Sequence, residues 1–409
     1  METRRNVATY IVIRDTIEYN TFKPFDILSD MYRCLSIFLI CLGATSTGAE
    51  FGRNQASVTT VLLKLGDTGP VGFKAILTAR VEPKSAPQQT ARAATGIKAD
   101  MAVVMNEAAR FVGNLYGDEW PSDSTVDFSL SDSYLPQDVP SSSLAFVVLL
   151  ATLREGFELN DRCAVIGDML LDGRTRDVGD INARLRGAYE GSCQYAAVPF
   201  ANQRQVIDLM LTGERHIVWQ MQIFSVAHAR HAVQLVRTDH NEKLAASIDA
   251  FVKVQAYMKK HGGNVRGNQR IRKSLNEILT LAPNHLSARI LLSEIQGELP
   301  KHLSLERTLA EFSALSWPYL ALMAPDRQYQ YDGNDTSDFN RITAELDELK
   351  YMAHPKLVTV IQRLIGYGEY IKLRSNRDEA ALRRADAIRK ELERLRNDPD
   401  IMELEWLRR

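Results

Sequence analysis

The spacing of apolar positions changes character near Thr238. Before it, short apolar stretches alternate with turn residues. Val58 to Leu65 and Gly72 to Val81 predict two paired strands, joined by Gly66, Asp67, Thr68, Gly69 and Pro70. Lys84 to Ala94 is polar and small, which predicts a loop. Asp100 to Leu115 carries Met101, Val104, Met105, Ala108 and Val112 at helical spacing, and Ser124 to Leu130 alternates as a strand. Ser142 to Glu155 predicts an apolar helix that begins after a proline and a run of serines. Strand and helix signals then recur through Ala164 to Leu171, Asp180 to Tyr189, Tyr195 to Pro199 and Gln222 to Phe224, and a helix over Val226 to Val236 closes the unit. The predicted class of this part is α/β (α+β).

After Thr238 strand signals nearly vanish, predicting an all-α region. Leu244 to Met258, Arg270 to Leu281, Leu286 to Gln296, Leu305 to Leu315, Phe339 to Tyr351, Leu357 to Leu373 and Asp378 to Arg396 all fit helices. Leu275 to Leu292, with Pro283 at the turn and Ala288 available for close packing, resembles one joint of a tetratricopeptide repeat. A single joint without a clear period fits a plain helical bundle equally well. The last helix is heavily charged, as a solvated face would be.

Composition narrows the function. With 409 residues, 45% of them hydrophobic and 25% charged, the chain can fill more than one core. Its 50 basic and 51 acidic residues leave a formal net charge of -1, so no global field favours nucleic acid or an anionic membrane surface. No phosphate loop or dinucleotide fingerprint is present in the sequence, so no nucleotide cofactor is expected.

Met31 to Glu50 reads as a secretory leader: one basic residue, an apolar run through Leu42, then small residues with Thr47 and Ala49 before a cut after Ala49. The apolar run is too short to cross a bilayer core of about 30 Å, so no stable membrane span is expected. A buried strand or core helix is the alternative. Residues 1–30 carry acidic residues atypical of a leader, which points to Met31 as the start; export would be periplasmic or extracellular. Removal of the leader would take Cys34 and Cys41, leaving Cys163 and Cys193 either as reduced core residues or as a pair.

The candidate chemistry lies between Ser57 and Arg237. Asp138-Val-Pro-Ser-Ser-Ser, followed by an apolar helix, is similar to the Asp-Gly-Pro-Ser-Ala-Gly signature of the Lon proteolytic domain. Ile166-Gly-Asp-Met-Leu-Leu-Asp-Gly-Arg-Thr-Arg-Asp-Val-Gly-Asp-Ile-Asn resembles, without a gap, that family's block Thr-Gly-Glu-Ile-Thr-Leu-Arg-Gly-Arg-Val-Leu-Pro-Ile-Gly-Gly-Leu-Lys. Ala188 to Pro199 resembles the helix end, strand and proline that follow. The resemblance implies a Lon proteolytic-domain fold over residues 50–238, after the leader at 1–49 and before helices at 239–409.

It also implies that Ser141 stands where the nucleophile stands and Asn182 where the lysine general base stands. A serine hydroxyl needs a neighbour to take its proton, and an asparagine amide has no lone pair of useful basicity. Losing such a base removes about four to six decades of rate. Other departures surround the pair: Ile166 replaces the family threonine, Asp180 the second glycine of the Gly-Gly turn, and Val139 and Ser143 the residues flanking Pro-Ser. Asp138 and Pro140 complete the serine motif. Arg184 stays protonated and cannot be a base, whereas Asp168 or Asp180 would need a carboxyl pKa raised by burial. The plain structural alternatives are a helix cap for Ser141, among Ser141, Ser142 and Ser143, and an ordinary polar residue for Asn182.

The expected function is therefore an exported Lon-like pseudopeptidase that binds a polypeptide or protein partner. The competing expectations are an ATP-independent serine endopeptidase with a displaced base, and a helical-repeat scaffold. The resemblance implies a ring-forming homo-oligomeric surface, hexameric in the family, although no motor motif stands in this sequence. His228 and His231, three apart on a helix, have no third metal ligand spaced with them and read as an ordinary histidine pair. Asn334-Asp-Thr is a formal glycosylation acceptor.

Overall fold

A long antiparallel hairpin is the centre of the sheet: its first strand is buried on both faces from Val58 to Leu63, and its second alternates buried with more exposed positions. Strand β1 (Gln55–Gly66) pairs with β2 (Gly69–Pro83) from Gln55 opposite Arg80 to Gly66 opposite Gly69. Both strands thus run into the Gly66 to Pro70 stretch expected to be a turn. The computed structural model describes residues 51–66, 69–83, 91–93, 99–116, 124–132, 140–263, 265, 267–323, 337–372, 376 and 378–407. The leader and the Asn334 acceptor lie outside those residues.

Beyond β2 come β3 (Ala91–Ala93) and β4 (Ser124–Leu130), parallel to each other, with β4 antiparallel to the C-terminal half of β2. Ala91 to Ala93 corrects the loop expected over Lys84 to Ala94. This short strand is held at the sheet edge by Arg92, whose guanidinium grips the facing Asp127 at 2.8 and 2.5 Å. On the other side of β1 lie three parallel strands, β5 (Cys163–Val165), β8 (Tyr195–Pro199) and β9 (Gln222–Val226). The order is β3-β4-β2-β1-β5-β8-β9.

The strand expected over Ala164 to Leu171 is broken in two. Gly167 adopts φ +156°, where an added Cβ would lie 2.4 Å from the Leu144 side chain. The chain therefore leaves the sheet after Val165 and forms a separate hairpin of β6 (Asp168–Met169) and β7 (Thr175–Arg176).

Helices cover both faces of the sheet. Helices α1 (Ala99–Tyr116) and α2 (Ser143–Glu155) pack on the Leu62, Leu77 and Phe128 side. Every residue from Ser143 to Leu153 is buried, which explains why α2 is apolar all round. Helix α3 (Ile181–Glu190), with the short α4 (Gln203–Ile207) and α5 (Arg215–Gln220), covers the opposite face around Val61, Ala164 and Ala196. The periodicity reading passed over α4 and α5, each less than two turns long. Helix α6 (Ala229–Val236) starts later than expected, at a turn capped by His228.

Helix α3 lies unusually close to β2. A Cβ on Gly72 would sit 2.1 Å from the Ala183 carbonyl oxygen, and one on Gly187 would sit 2.3 Å from the Gly72 carbonyl carbon. Two glycines thus let helix and strand backbones touch, and this sets where the first turn of α3 falls.

The C-terminal part is mostly helical. Helices α7 (Glu242–Lys260), α8 (Gln269–Leu281) and α9 (Leu286–Gln296) share a small core around Phe251, Leu275 and Leu291. They also feed the neighbouring cores: Ile248 and Ala282 reach one face of the sheet, Leu286 and Ile290 the other. The seam is polar. Ser225 N donates to Asn284 O at 2.9 Å, Ser287 Oγ donates to Met221 O at 3.0 Å and accepts from Ile223 N at 2.9 Å. Segment 284–287 in this way covers the β9 edge.

His285, fully buried, sits at this seam between the rings of Phe224 and Phe251, each 4.4 Å away. Its Nδ1 accepts from Ala288 N at 3.3 Å, leaving Nε2–H to donate to Gln222 Oε1 at 3.1 Å. Burial pushes the imidazole pKa down to about 3, so the ring is neutral.

Helices α10 (Leu305–Leu322), α11 (Ser337–Met352), α12 (Pro355–Ile371), α13 (Glu379–Arg396) and α14 (Pro399–Leu407) enclose a further core around Tyr319, Leu346, Tyr367 and Ile388. Helix α10 was expected to end at Leu315, yet it passes through Pro318. Burial of Tyr319 against Tyr367 and its hydroxyl bond to Thr343 at 2.6 Å offset the hydrogen bond that proline removes. The wholly buried Asp208 ties α10 to the α/β part, accepting from Ser304 N at 3.0 Å, Ser304 Oγ at 2.5 Å and Arg204 Nη1 at 2.7 Å.

From Ala49 onward these elements form one compact unit. Among the described residues no helix is long and apolar enough to cross a membrane. Cys163 and Cys193 are free buried thiols, and strand register sets Cys163 opposite Tyr195. Burial pushes both thiol pKa values up.

Candidate functional site

Ser141 sits in a single 3₁₀ turn that feeds α2. Two reciprocal bonds clip this turn to Gly167: Gly167 N donates to Ser141 O at 2.9 Å, and Leu144 N donates to Gly167 O at 3.2 Å. The two stretches that carry the family-like motifs are therefore neighbours in space. Pro140 is exposed at the start of the turn; Asp138 lies outside the described residues.

Ser141 is 4% exposed, and its hydroxyl accepts a hydrogen bond from Arg184 Nη1 at 3.0 Å. Arg184, itself buried, crosses from α3 to reach it. The same Nη1 donates to Val61 O at 3.0 Å, while Nε donates to Gly179 O at 3.0 Å. A guanidinium stays protonated, so it can hold the serine oxygen but cannot take its proton. Capping does not explain the serines: the N-cap position of α2 falls to Ser142, whose buried hydroxyl makes no capping bond and has no partner.

Asn182 occupies the first turn of α3, two residues before Arg184, and is 4% exposed. Its Oδ1 is buried without a hydrogen-bond partner. Asp180 immediately precedes the helix at φ 53°, ψ 37°, the left-handed region a glycine would occupy without strain. Its backbone N–H donates to Glu306 Oε1 at 3.4 Å, which links this turn to α10.

Asp168 accepts from Ser143 Oγ at 3.2 Å and from Met169 N at 2.7 Å, and pairs with Arg176 at 2.5 Å. Burial raises its carboxyl pKa, with Arg176 pulling it back down. Its bonds go to Ser143 and the β6–β7 hairpin rather than to Ser141. His228 caps α6 by accepting from Arg230 N at 3.2 Å, and its Nε2 meets Asp172 O at 3.0 Å, so both ring nitrogens are engaged; His231 stands 6.3 Å away, ring to ring.

A groove of about 900 Å³ opens beside Asn182. The hairpin tip Gly69–Val71 and the start of α3 form one wall; α10 and the first half of α11 form the other. Ser141 does not line it. Sequence reasoning missed this groove, as well as the bond from Arg184 to Ser141. The adjacent Trp317 and Pro318 inside a helical run were the available signal, since a helix surface seldom spends a tryptophan on solvent.

No family model matches the sequence. Over 114 residues it is 22% identical to the Lon protease of Endomicrobium trichonymphae, a stretch that is 27% of this chain and 14% of that protein. Part of the chain is thus similar to a Lon protease. The match spans only about a seventh of that relative's length, so the relative's activity is not carried over with it.

Proposed function

We propose that this chain is an exported Lon-like pseudopeptidase that acts by binding polypeptide, with residues 50–238 as the Lon-like part and 239–409 as a helical interaction part. The observation that carries the reading is the bond from Arg184 Nη1 to the buried Ser141 Oγ at 3.0 Å. It holds the serine oxygen on a permanent cation, shielded from solvent, while the residue at the lysine position of the similar motif is an asparagine. Nucleophilic attack needs both an accessible oxygen and a base of suitable pKa, and these residues supply neither. Asp168, the buried carboxylate of raised pKa, spends its bonds on Ser143, Met169 and Arg176. Export is supported by the tripartite pattern from Met31 to Ala49.

The test is hydrolysis of an unstructured protein by the native chain beside Ser141→Ala and Asn182→Lys. No cleavage by the native chain is the expected result, and cleavage gained in Asn182→Lys would mark a dead dyad on a retained site. Cleavage by the native chain that disappears in Ser141→Ala would overturn the proposal.

A further inference from the structure

The groove beside Asn182 carries unmet hydrogen-bonding capacity. Three buried side-chain atoms without partners belong to its lining: Asn182 Oδ1, Gln205 Oε1 and Arg307 Nε. The first two accept and the third donates. A buried polar atom left unsatisfied costs about 1–3 kcal/mol, so three beside one groove are expensive unless a ligand completes them.

The remaining lining selects the class of ligand. Asp180, Glu306, Glu311 and Glu345 outnumber Arg186, Arg307 and Arg341 by one. Most of these charges are already taken: Arg307 pairs with Glu311 at 2.5 Å, Arg341 with Glu345 at 2.8 Å, and Arg186 with Glu214 at 2.6 Å. With its three arginines already paired and one acidic residue in excess, the wall offers no field for a phosphate, and among the described residues no cluster of His, Cys, Asp and Glu could hold a metal ion. Apolar area is present at the rim, where Trp317 is 64% exposed and Val71 45% exposed. Acceptors and a donor along one apolar-rimmed groove match the alternating N–H and C=O groups of an extended main chain.

We propose that this groove, formed jointly by the start of α3 and by α10, is the polypeptide-binding site of the protein. On binding, the Asn182, Gln205 and Arg307 side chains, buried in the empty groove, turn outward, so that main-chain N–H groups of the segment meet Asn182 Oδ1 and Gln205 Oε1, a main-chain carbonyl accepts from Arg307 Nε, and an apolar side chain of the segment covers Trp317. The inference rests on the pseudopeptidase reading in so far as both make the protein a polypeptide binder. It differs in placing the segment away from Ser141 and in requiring helices outside the Lon-like part. Asn182 then has a positive role, as an acceptor that a lysine could not supply.

The experiment measures binding of fluorescein-labelled, reduced and carboxymethylated lactalbumin, a permanently unfolded chain, to the full-length protein by fluorescence anisotropy. Trp317→Ala, at an exposed position that leaves folding intact, is expected to weaken binding about tenfold or more. Asn182→Leu is expected to weaken it as well, whereas Ser141→Ala leaves it unchanged. Binding by the native protein that survives both Trp317→Ala and Asn182→Leu but falls in Ser141→Ala would overturn the groove and leave the pseudopeptidase reading standing. Native binding that none of the three substitutions alters would also overturn the groove. Absence of binding would overturn the groove together with polypeptide binding as the function, and serine-dependent cleavage of the probe would overturn the pseudopeptidase reading itself.

Discussion

Two residues of one helix face two different environments. Arg184 turns into the protein, where it makes bonds to Ser141, Val61 and Gly179; Asn182, one half-turn earlier, meets a groove with its Oδ1 unpartnered. The serine pocket is closed and hydrogen-bonded, as a structural network is. The groove is open and under-satisfied, as a binding site is before its ligand arrives. The difference teaches that the two motif residues part company in the fold: Ser141 lies in the closed pocket, and Asn182 stands at the open groove.

The largest effect should come from breaking the closed pocket. Arg184→Ala would leave the carbonyls of Val61 and Gly179 without their donors and open a void beneath α3. A loss of about 3–5 kcal/mol is expected, read as a lower urea midpoint. A loss under 1 kcal/mol would show that the pocket is not the network described.

The close approach that positions both residues should be nearly as sensitive. Gly72→Ala places a methyl group 2.1 Å from the Ala183 oxygen, with backbone on both sides, and is expected to cost about 2–4 kcal/mol by the same measurement. Because it shifts the start of α3, polypeptide binding should fall with it.

A third way to sharpen the comparison is pH, which acts on the seam at His285 and on neither Ser141 nor Asn182. Its folded pKa is pushed from 6.5 down to about 3 by burial. As pH falls below about 6.5 the unfolded chain takes up a proton that the folded chain refuses. The stability from neutral His285 is therefore complete above that pH and is lost on the way down toward 3, at about 1.4 kcal/mol per pH unit. His231 and His354 are also lowered by burial and add to the slope. Urea midpoints at pH 7.5 and 4.5 should differ less in His285→Gln than in the native chain; an unchanged difference would place the acid sensitivity elsewhere.

The smallest effects should run in the opposite direction. Asn182→Leu removes an orphaned buried acceptor and is expected to stabilise the unliganded protein by up to about 1 kcal/mol while weakening binding. Asp180→Gly relieves a non-glycine residue from the left-handed region and should add about 0.5–1 kcal/mol in thermal unfolding. Destabilisation by either would contradict the strain and dissatisfaction assigned to this turn.

Most elements were legible in the sequence because their signals are local. The apolar spacing of α1, the alternation in β4 and the all-apolar α2 each announce a period that needs no partner to be read. Elements whose existence depends on a neighbour were not legible. The strand at Ala91 to Ala93 exists because Arg92 finds Asp127 across the ladder, the strand over Ala164 to Leu171 breaks because Gly167 turns the backbone, and α10 continues past Pro318 because Tyr319 is buried beyond it.

The same division runs through the site. The sequence by itself determined which side chains are available: Ser141 before an apolar helix, and Asp180 and Asn182 at the start of a later helix. Their chemistry is a property of each residue alone: an asparagine amide has no lone pair of useful basicity, wherever it stands. Only the tertiary structure decided that Arg184 holds Ser141 and that Asn182, Gln205 and Arg307 share one groove with Trp317. These residues are separated by up to the whole of the α/β-to-helical passage in the chain, and hydrogen bonds and burial between them are set by how helices dock, which no local pattern encodes.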